Sequence, residues 1–286
     1  MPQNYGYLLD KDGKTLTLKV LKRGLTSNMQ DNEGAFESWA IVLRYYFSDI
    51  IEHVIIDWEV DIERPKEGYM HYNRFVYRLT KFIQNYPWAK AAKSIPAIPT
   101  IIACNVPSKD AAQLNDHVEN SEGWLECKYV NDNREHFDCI DHQFPVGLFD
   151  TYVSRHTHFT TGSKSAIDIW SVKDNLLSIY ELKIPSNQPL GIISELMFYT
   201  NVVSDLMAHR IIFEDSQKTK LAILRNFRSF SVFYDLYSSQ SVKRIKAVML
   251  ADKLHLLLTP DLIQFINDSG NWKDNNIYFS WQPINR

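Results

Sequence analysis

Apolar residues recur at two spacings along this chain, and the change from one to the other marks out its elements. Between Tyr5 and Leu21 the segments YGYLLD and TLTLKVL alternate around Lys11-Asp12-Gly13, which predicts a β-hairpin closed by a glycine turn. From about Asn32 to Phe47 the spacing becomes helical, with Phe36, Trp39, Ala40, Leu43 and Phe47 on one stripe behind Asp31 or Asn32 as a cap. His53 to Glu63 alternates strictly and predicts a strand, with Trp58, Val60 and Ile62 on one face and Asp57, Glu59, Asp61 and Glu63 on the other. Tyr69 to Tyr86 predicts a second helix, stopped by Pro87, and the proline-rich stretch from Ile95 to Pro107 predicts a loop that enters a short buried strand. Within Ser165–Met207 two alternating runs, SAIDIWSV and LLSIYELKI, flank Lys173-Asp174-Asn175, and a helix is expected after Pro189.

Composition narrows the class without choosing a function. At 286 residues with 45% hydrophobic and 23% charged positions, the chain has ample core for a globular fold, which excludes disordered, collagenous and coiled-coil classes. The net charge of −3 does not point to a nucleic-acid binder, but the charge is polarised along the chain. Residues 110–141 hold nine acidic and two basic side chains, whereas 210–253 hold nine basic and four acidic ones, so a phosphate backbone would find its surface in the later stretch. Three cysteines, Cys104, Cys127 and Cys139, without a CxxC pair favour a reducing compartment, and no apolar run reaches the roughly 18 to 20 residues that span a bilayer. Together with an N-terminus that lacks a signal-peptide pattern, these features lead to the expectation of a cytoplasmic protein with no membrane partner. There is no P-loop, GxGxxG or GxSxG.

The chemistry concentrates in the second hairpin. Asp168 interrupts the apolar run Ala166, Ile167, Ile169, Trp170, where a carboxylate is costly unless something binds it. A hairpin centred near residue 174 puts Asp168 opposite a position near Glu181, while Glu181 and Lys183, two apart, project from one face and Leu182 from the other. Two carboxylates so close repel one another, and a divalent cation resolves the repulsion by taking hard oxygen ligands from both. Mg²⁺ held by two carboxylates keeps several waters, one of which can attack a phosphodiester, and a neighbouring ammonium can orient that water or offset charge on the phosphate.

The order of acidic residue, hairpin, Glu-x-Lys and helix resembles the PD-(D/E)XK nuclease superfamily, the restriction-endonuclease-like fold, over roughly 80 residues of the chain. The resemblance implies an α/β fold, a mixed β-sheet of about five strands flanked by helices, here with an N-terminal β-hairpin, as a single nuclease-like domain over 1–286 with 64–142 as an insertion or subdomain. It makes Asp168 and Glu181 metal ligands together with the Leu182 carbonyl, and Lys183 the signature lysine. Gly34-Ala35-Phe36-Glu37 is similar to a helix motif that carries a further catalytic acid in family members, which nominates Glu37, with Glu33 as its rival. Glu195 and Tyr199 stand where many members carry a Gln-x-x-x-Tyr pair, with Glu in place of Gln, and Ile167 occupies the place of the family's proline. The implied activity is a Mg²⁺-dependent nuclease acting on DNA, with Mn²⁺ expected to substitute. RNA is an alternative substrate, a homodimer is compatible with the reading, and the alternative function is a catalytically inactive module that keeps the fold and binds nucleic acid or a protein partner.

Other constellations carry weaker signals. His136, Cys139, His142, His156 and His158, with Cys127 nearby, offer zinc-ligand chemistry, but no four of them stand at a recognised spacing, which favours surface histidines and buried thiols. The four carboxylates of the 53–63 strand lie in a row and do not converge, which favours a solvated face. In Leu224–Tyr237, Arg225 and Arg228 interleave with Phe227, Phe230, Phe233 and Tyr234. Base stacking is one use of that pattern and an aromatic core face the more frequent one, with Arg225, Arg228, Lys243 and Arg244 left as candidate phosphate contacts.

Overall fold

A computed structural model describes residues 5–64, 66–107, 114–161, 165–184, 187–214 and 228–284. It is a mixed α/β protein with three sheets flanked by helices. The chain divides into two compact units, the first formed by 1–98, 188–198 and 254–275, the second by 99–187, 199–253 and 276–286. The 64–142 span is therefore shared between them: residues up to 98 belong to the first unit and the acidic stretch to the second.

In the first unit, β1 (Tyr5–Leu9) and β2 (Thr15–Val20) form the expected hairpin, with Leu9 opposite Leu16. Gly13 takes φ +69°, a conformation that favours glycine, and this closes the turn. Parallel additions of β3 (His53–Trp58) and β4 (Ala89–Ala91) complete the sheet β1-β2-β3-β4. Leu16, Leu18 and Val20 on β2 and Val54, Ile56 and Trp58 on β3 are buried, as their alternation requires. The third strand stops at Trp58 instead of reaching Glu63, because the acidic residues leave the ladder one by one for individual partners. Glu59 accepts from the Lys22 backbone at 2.7 Å, and Asp61 accepts from Trp58 Nε1 at 2.7 Å and from the Tyr72 hydroxyl at 2.5 Å. Besides the single turn α1 (Lys22–Thr26), this unit carries α2 (Phe36–Tyr46) and α3 (Tyr69–Asn85). The stripes of α2 and α3 meet through Phe36, whose ring lies 5.2 Å from Phe75 and 5.7 Å from Phe82.

The second unit holds a three-stranded sheet of β5 (Ile102–Cys104), β7 (Leu148–Asp150) and β10 (Ile211–Ile212). Its five-stranded sheet has the order β12-β11-β9-β8-β6, from β6 (Cys139–Pro145), β8 (Ala166–Lys173), β9 (Leu176–Lys183), β11 (Arg244–Ala251) and β12 (Ile277–Gln282). β8 alone runs against the other four strands. The β8–β9 turn places Asp174 at φ +52° and Asn175 at φ +61°, the pair of left-handed residues that a two-residue hairpin with the right strand twist needs. One face of the sheet packs Ile140, Ile169, Tyr180, Leu182, Val248 and Leu250 against Leu125 and Val130 of α4 (Glu122–Asn133). The other face packs Trp170 against Phe233 of α6 (Arg228–Ser239), 5.3 Å between ring centres. Of the aromatics of 224–237 that fall among the described residues, Phe230, Phe233 and Tyr237 are core side chains and Tyr234 is half-buried. The remaining helices are α5 (Ile192–Met207), inside which the division between units falls, and α7 (Pro260–Asn267) and α8 (Gly270–Asp274) in the first unit. No described helix is long and apolar enough to cross a membrane.

Candidate active site at the open end of the second hairpin

The β8–β9 ladder follows the expected register, from Lys173 opposite Leu176 to Ile169 opposite Tyr180. The next pair in that register is Asp168 and Glu181, and there the ladder ends. Asp168 Oδ2 accepts a 2.8 Å hydrogen bond from the backbone N–H of Leu182, so a carboxylate oxygen takes a donor that regular pairing would have given to a backbone carbonyl. This contact fixes the Asp168 carboxylate against the peptide that joins Glu181 to Leu182.

Alternation settles the faces. Leu182 and Tyr180 lie in the cluster under α4, so Glu181 and Lys183 project from the opposite face, and Asp168 shares that face with Trp170 two residues on. Glu181 is 2% exposed and Lys183 5%, and Lys183 Nζ donates to Glu181 Oε1 at 2.5 Å. This is a buried ion pair between side chains two apart on one strand, unlike the weak surface pair that a solvated face would hold. Asp168 is only partly buried.

The three residues Asp168, Glu181 and Lys183 are thus brought together, and Leu182 adds its amide as an observed contact where its carbonyl was expected to serve. The donor set consists of hard oxygens from two carboxylates, which fits a cation that retains most of its water. Among the described residues no group of three or more His, Cys, Asp or Glu side chains is placed to hold a metal ion.

The other candidates are placed as follows. Glu37 lies in the first unit, buried on α2, with both carboxylate oxygens engaged by Arg78 of α3: Nε donates to Oε1 at 2.7 Å and Nη2 to Oε2. Glu33 stands 3.7 Å from Arg23. Glu195 and Tyr199 lie four apart on α5 and are both buried. Arg225 falls outside the described residues, and of Arg228 only the backbone, at the start of α6, is described. Lys243 and Arg244 are exposed, but they stand at the far end of the sheet: Arg244 lies beside Leu176, five residues before Glu181. At about 3.3 Å per residue that is roughly 17 Å along the strand, beyond the reach of a single phosphate.

The histidines and cysteines do not assemble into one centre among the described residues. His142 lies 3.9 Å from Cys127 Sγ, whereas His136 and His156 are exposed. All three thiols are buried and free of disulfides, and burial followed by the Glu126 carboxylate pushes the Cys127 thiol up, so it stays protonated. A thiol reagent at pH 8 is therefore expected to label none of the three in the native protein and all three in urea. Rapid native labelling would contradict this burial.

Sequence reasoning missed Gln143, which stands opposite Asp168 in the β6–β8 register, and its partner Glu126 on α4. Gln143 Nε2 donates to Glu126 Oε2 at 2.7 Å. No local signal marks them: alternation in CIDHQFP gives Phe144 the parity of His142, and only the packing shows His142 3.7 Å from Glu126 and Phe144 against Phe233. Comparisons of the chain with protein families, with curated proteins and with solved structures give no match.

Proposed function

We propose that this chain is a metal-dependent nuclease of the restriction-endonuclease-like kind that hydrolyses phosphodiester bonds in DNA. The observation that carries the proposal is the 2.8 Å bond from Leu182 N–H to Asp168 Oδ2, which holds one carboxylate of the site at the backbone of the other on the face that also presents Lys183. Asp168 and Glu181 would hold Mg²⁺, or Mn²⁺ in its place, and the ion would supply positive charge and an acidified water. Lys183, at 2.5 Å from Glu181, keeps an ammonium beside the carboxylates, where it can offset charge that develops on a phosphate. The exposed Lys243 and Arg244 supply favourable charge for a polyanion away from the cleavage point, so affinity should fall as salt rises.

Asp168→Asn is the cleanest test. Its amide oxygen still accepts from Leu182 N–H, so unfolding free energy should stay within about 1 kcal/mol of wild type, while the negative charge disappears. We expect purified protein to cut linear, circular or single-stranded DNA with Mg²⁺ or Mn²⁺ and not with chelator, and the Asp168→Asn protein to cut none. Cleavage of RNA alone would move the substrate class, and equal cleavage by wild type and variant would reject the site. One observation favours a second reading, a catalytically inactive module: the Glu181–Lys183 pair is buried and internally satisfied on at least one oxygen, as a purely structural pair would be. Calorimetric titration with Mn²⁺ separates the two, since only the enzyme reading expects uptake that Asp168→Asn removes.

A further inference from the structure

Both ladders that flank Asp168 are interrupted at this residue. On one side the β8–β9 pairing ends at Ile169 and Tyr180. On the other, β6 pairs with β8 from Cys139 opposite Val172 to His142 opposite Ile169, and again from Phe144 opposite Ile167, but Gln143, the residue facing Asp168, is skipped. The skipped residue has φ +55°, in the left-handed region, which in the interior of a strand costs a residue with a Cβ about 1–2 kcal/mol. Register is unchanged on either side, so the strained residue neither adds nor removes a position.

It does reverse the alternation. His142 lies on the α4 side, 3.9 Å from Cys127 and 3.7 Å from Glu126, so regular pleating would turn Gln143 to the opposite face, beside Asp168, and Phe144 back toward α4. Instead Gln143 donates to Glu126 on α4, and Phe144 lies on the opposite face, 4.2 Å from Phe233 and 6.1 Å from Trp170 between ring centres. The Glu126 carboxylate, 5% exposed, holds Gln143 in this place.

We infer that Gln143 is a positioning residue for Asp168: its left-handed backbone, latched by Glu126, turns its own side chain off the face that Asp168 occupies and opens the neighbouring ladder. The Asp168 carboxylate then has the room to bend onto Leu182 N–H. Strain held in place by a part-buried hydrogen bond next to a candidate site has a physical use here, since it clears one strand away from a carboxylate without shifting the sheet's register. The inference concerns the same site as the proposed function, and its effect on metal uptake rests on that reading, but the placement of Asp168 does not.

Hydrogen exchange at the Leu182 amide reads that placement directly, without metal or substrate. Gln143→Val puts a β-branched side chain where φ must be positive, which it resists, and should restore regular pleating. Gln143→Gly accepts the left-handed backbone and should preserve it. We expect the Leu182 amide to exchange at least tenfold faster in Gln143→Val than in wild type while the Tyr180 amide is unchanged, and to remain protected in Gln143→Gly. Protection equal to wild type in Gln143→Val, or loss to the same extent in both variants, overturns the inference. If Gln143→Val does not fold, Glu126→Ala against Glu126→Gln carries the same contrast, because only the glutamine can still accept from Gln143; equal protection in these two overturns it as well. Mn²⁺ affinity measured on the same proteins should fall at least tenfold in Gln143→Val. A wild type that takes up no Mn²⁺ would sink the nuclease reading while the amide contrast still decides the role of Gln143.

Discussion

Lys183→Ala is expected to lower unfolding free energy by about 3–5 kcal/mol, because it removes the ammonium paired with a buried carboxylate, and under the proposed function also to abolish cleavage. A lysine on a solvated strand face would lose activity at a cost below about 1 kcal/mol, so the size of the effect separates the two descriptions of the hairpin. Urea titration of wild type and variant measures it. Combining Glu181→Met with Lys183→Met should recover most of the stability and none of the activity, since a buried pair replaced by apolar groups is close to neutral. Under the proposed function a second signature follows. Divalent metal should raise the midpoint of Lys183→Ala more than that of wild type, because the ion replaces the lost cation beside Glu181. A Lys183→Ala protein as stable as wild type would mean that the pair is open in solution, and the loss of activity could then be ascribed to the ammonium alone.

What the sequence made legible about this site was its register. The turn signal Lys173-Asp174-Asn175 brings Asp168 opposite a position near Glu181 by counting, and the left-handed backbone of Asp174 and Asn175 in the structure fixes a two-residue turn and with it every pair behind it. The hairpin at the N-terminus and the two long helices were readable for similar reasons, since each rests on local periodicity, whereas β6, β11 and β12 of the five-stranded sheet were not predicted from the sequence. Burial was not readable. Glu181 and Lys183 have the composition of a surface pair, and only the packing of the second unit makes them an interior one. Nor could the division of the chain be read: three separated segments form each unit, and no composition shift marks position 98, 188, 254 or 276. The ladder break at Asp168 depends on Gln143, whose positive φ is a tertiary choice enforced from α4 and not a preference of glutamine.

The motif Gly34-Ala35-Phe36-Glu37 shows the opposite case, in which a legible pattern has a complete structural account. A Cβ on Gly34 would come within 2.1 Å of the Asn28 carbonyl oxygen, so glycine is required by close backbone approach. Phe36 fills the contact between α2 and α3, and Arg78 lies over its ring at 5.1 Å. Glu37 receives the forked guanidinium of Arg78, which also donates to the Gly34 carbonyl at 2.8 Å. Both members of the pair are under 5% exposed, so Arg78→Ala is expected to cost about 3–5 kcal/mol, and Arg78→Lys to recover only a small part, because a point ammonium cannot reproduce two parallel bonds and a third to a carbonyl. Thermal and urea unfolding check both. If Glu37 serves the fold in this way, Glu37→Gln weakens the protein but leaves turnover per folded molecule at the wild-type value, measured below the variant's midpoint. A tenfold or greater fall in metal-dependent turnover in Glu37→Gln, with Arg78→Lys at wild-type turnover, would return the carboxylate to the catalytic set. The motif would then have two uses, and the pair with Arg78 would be the one that yields when substrate binds.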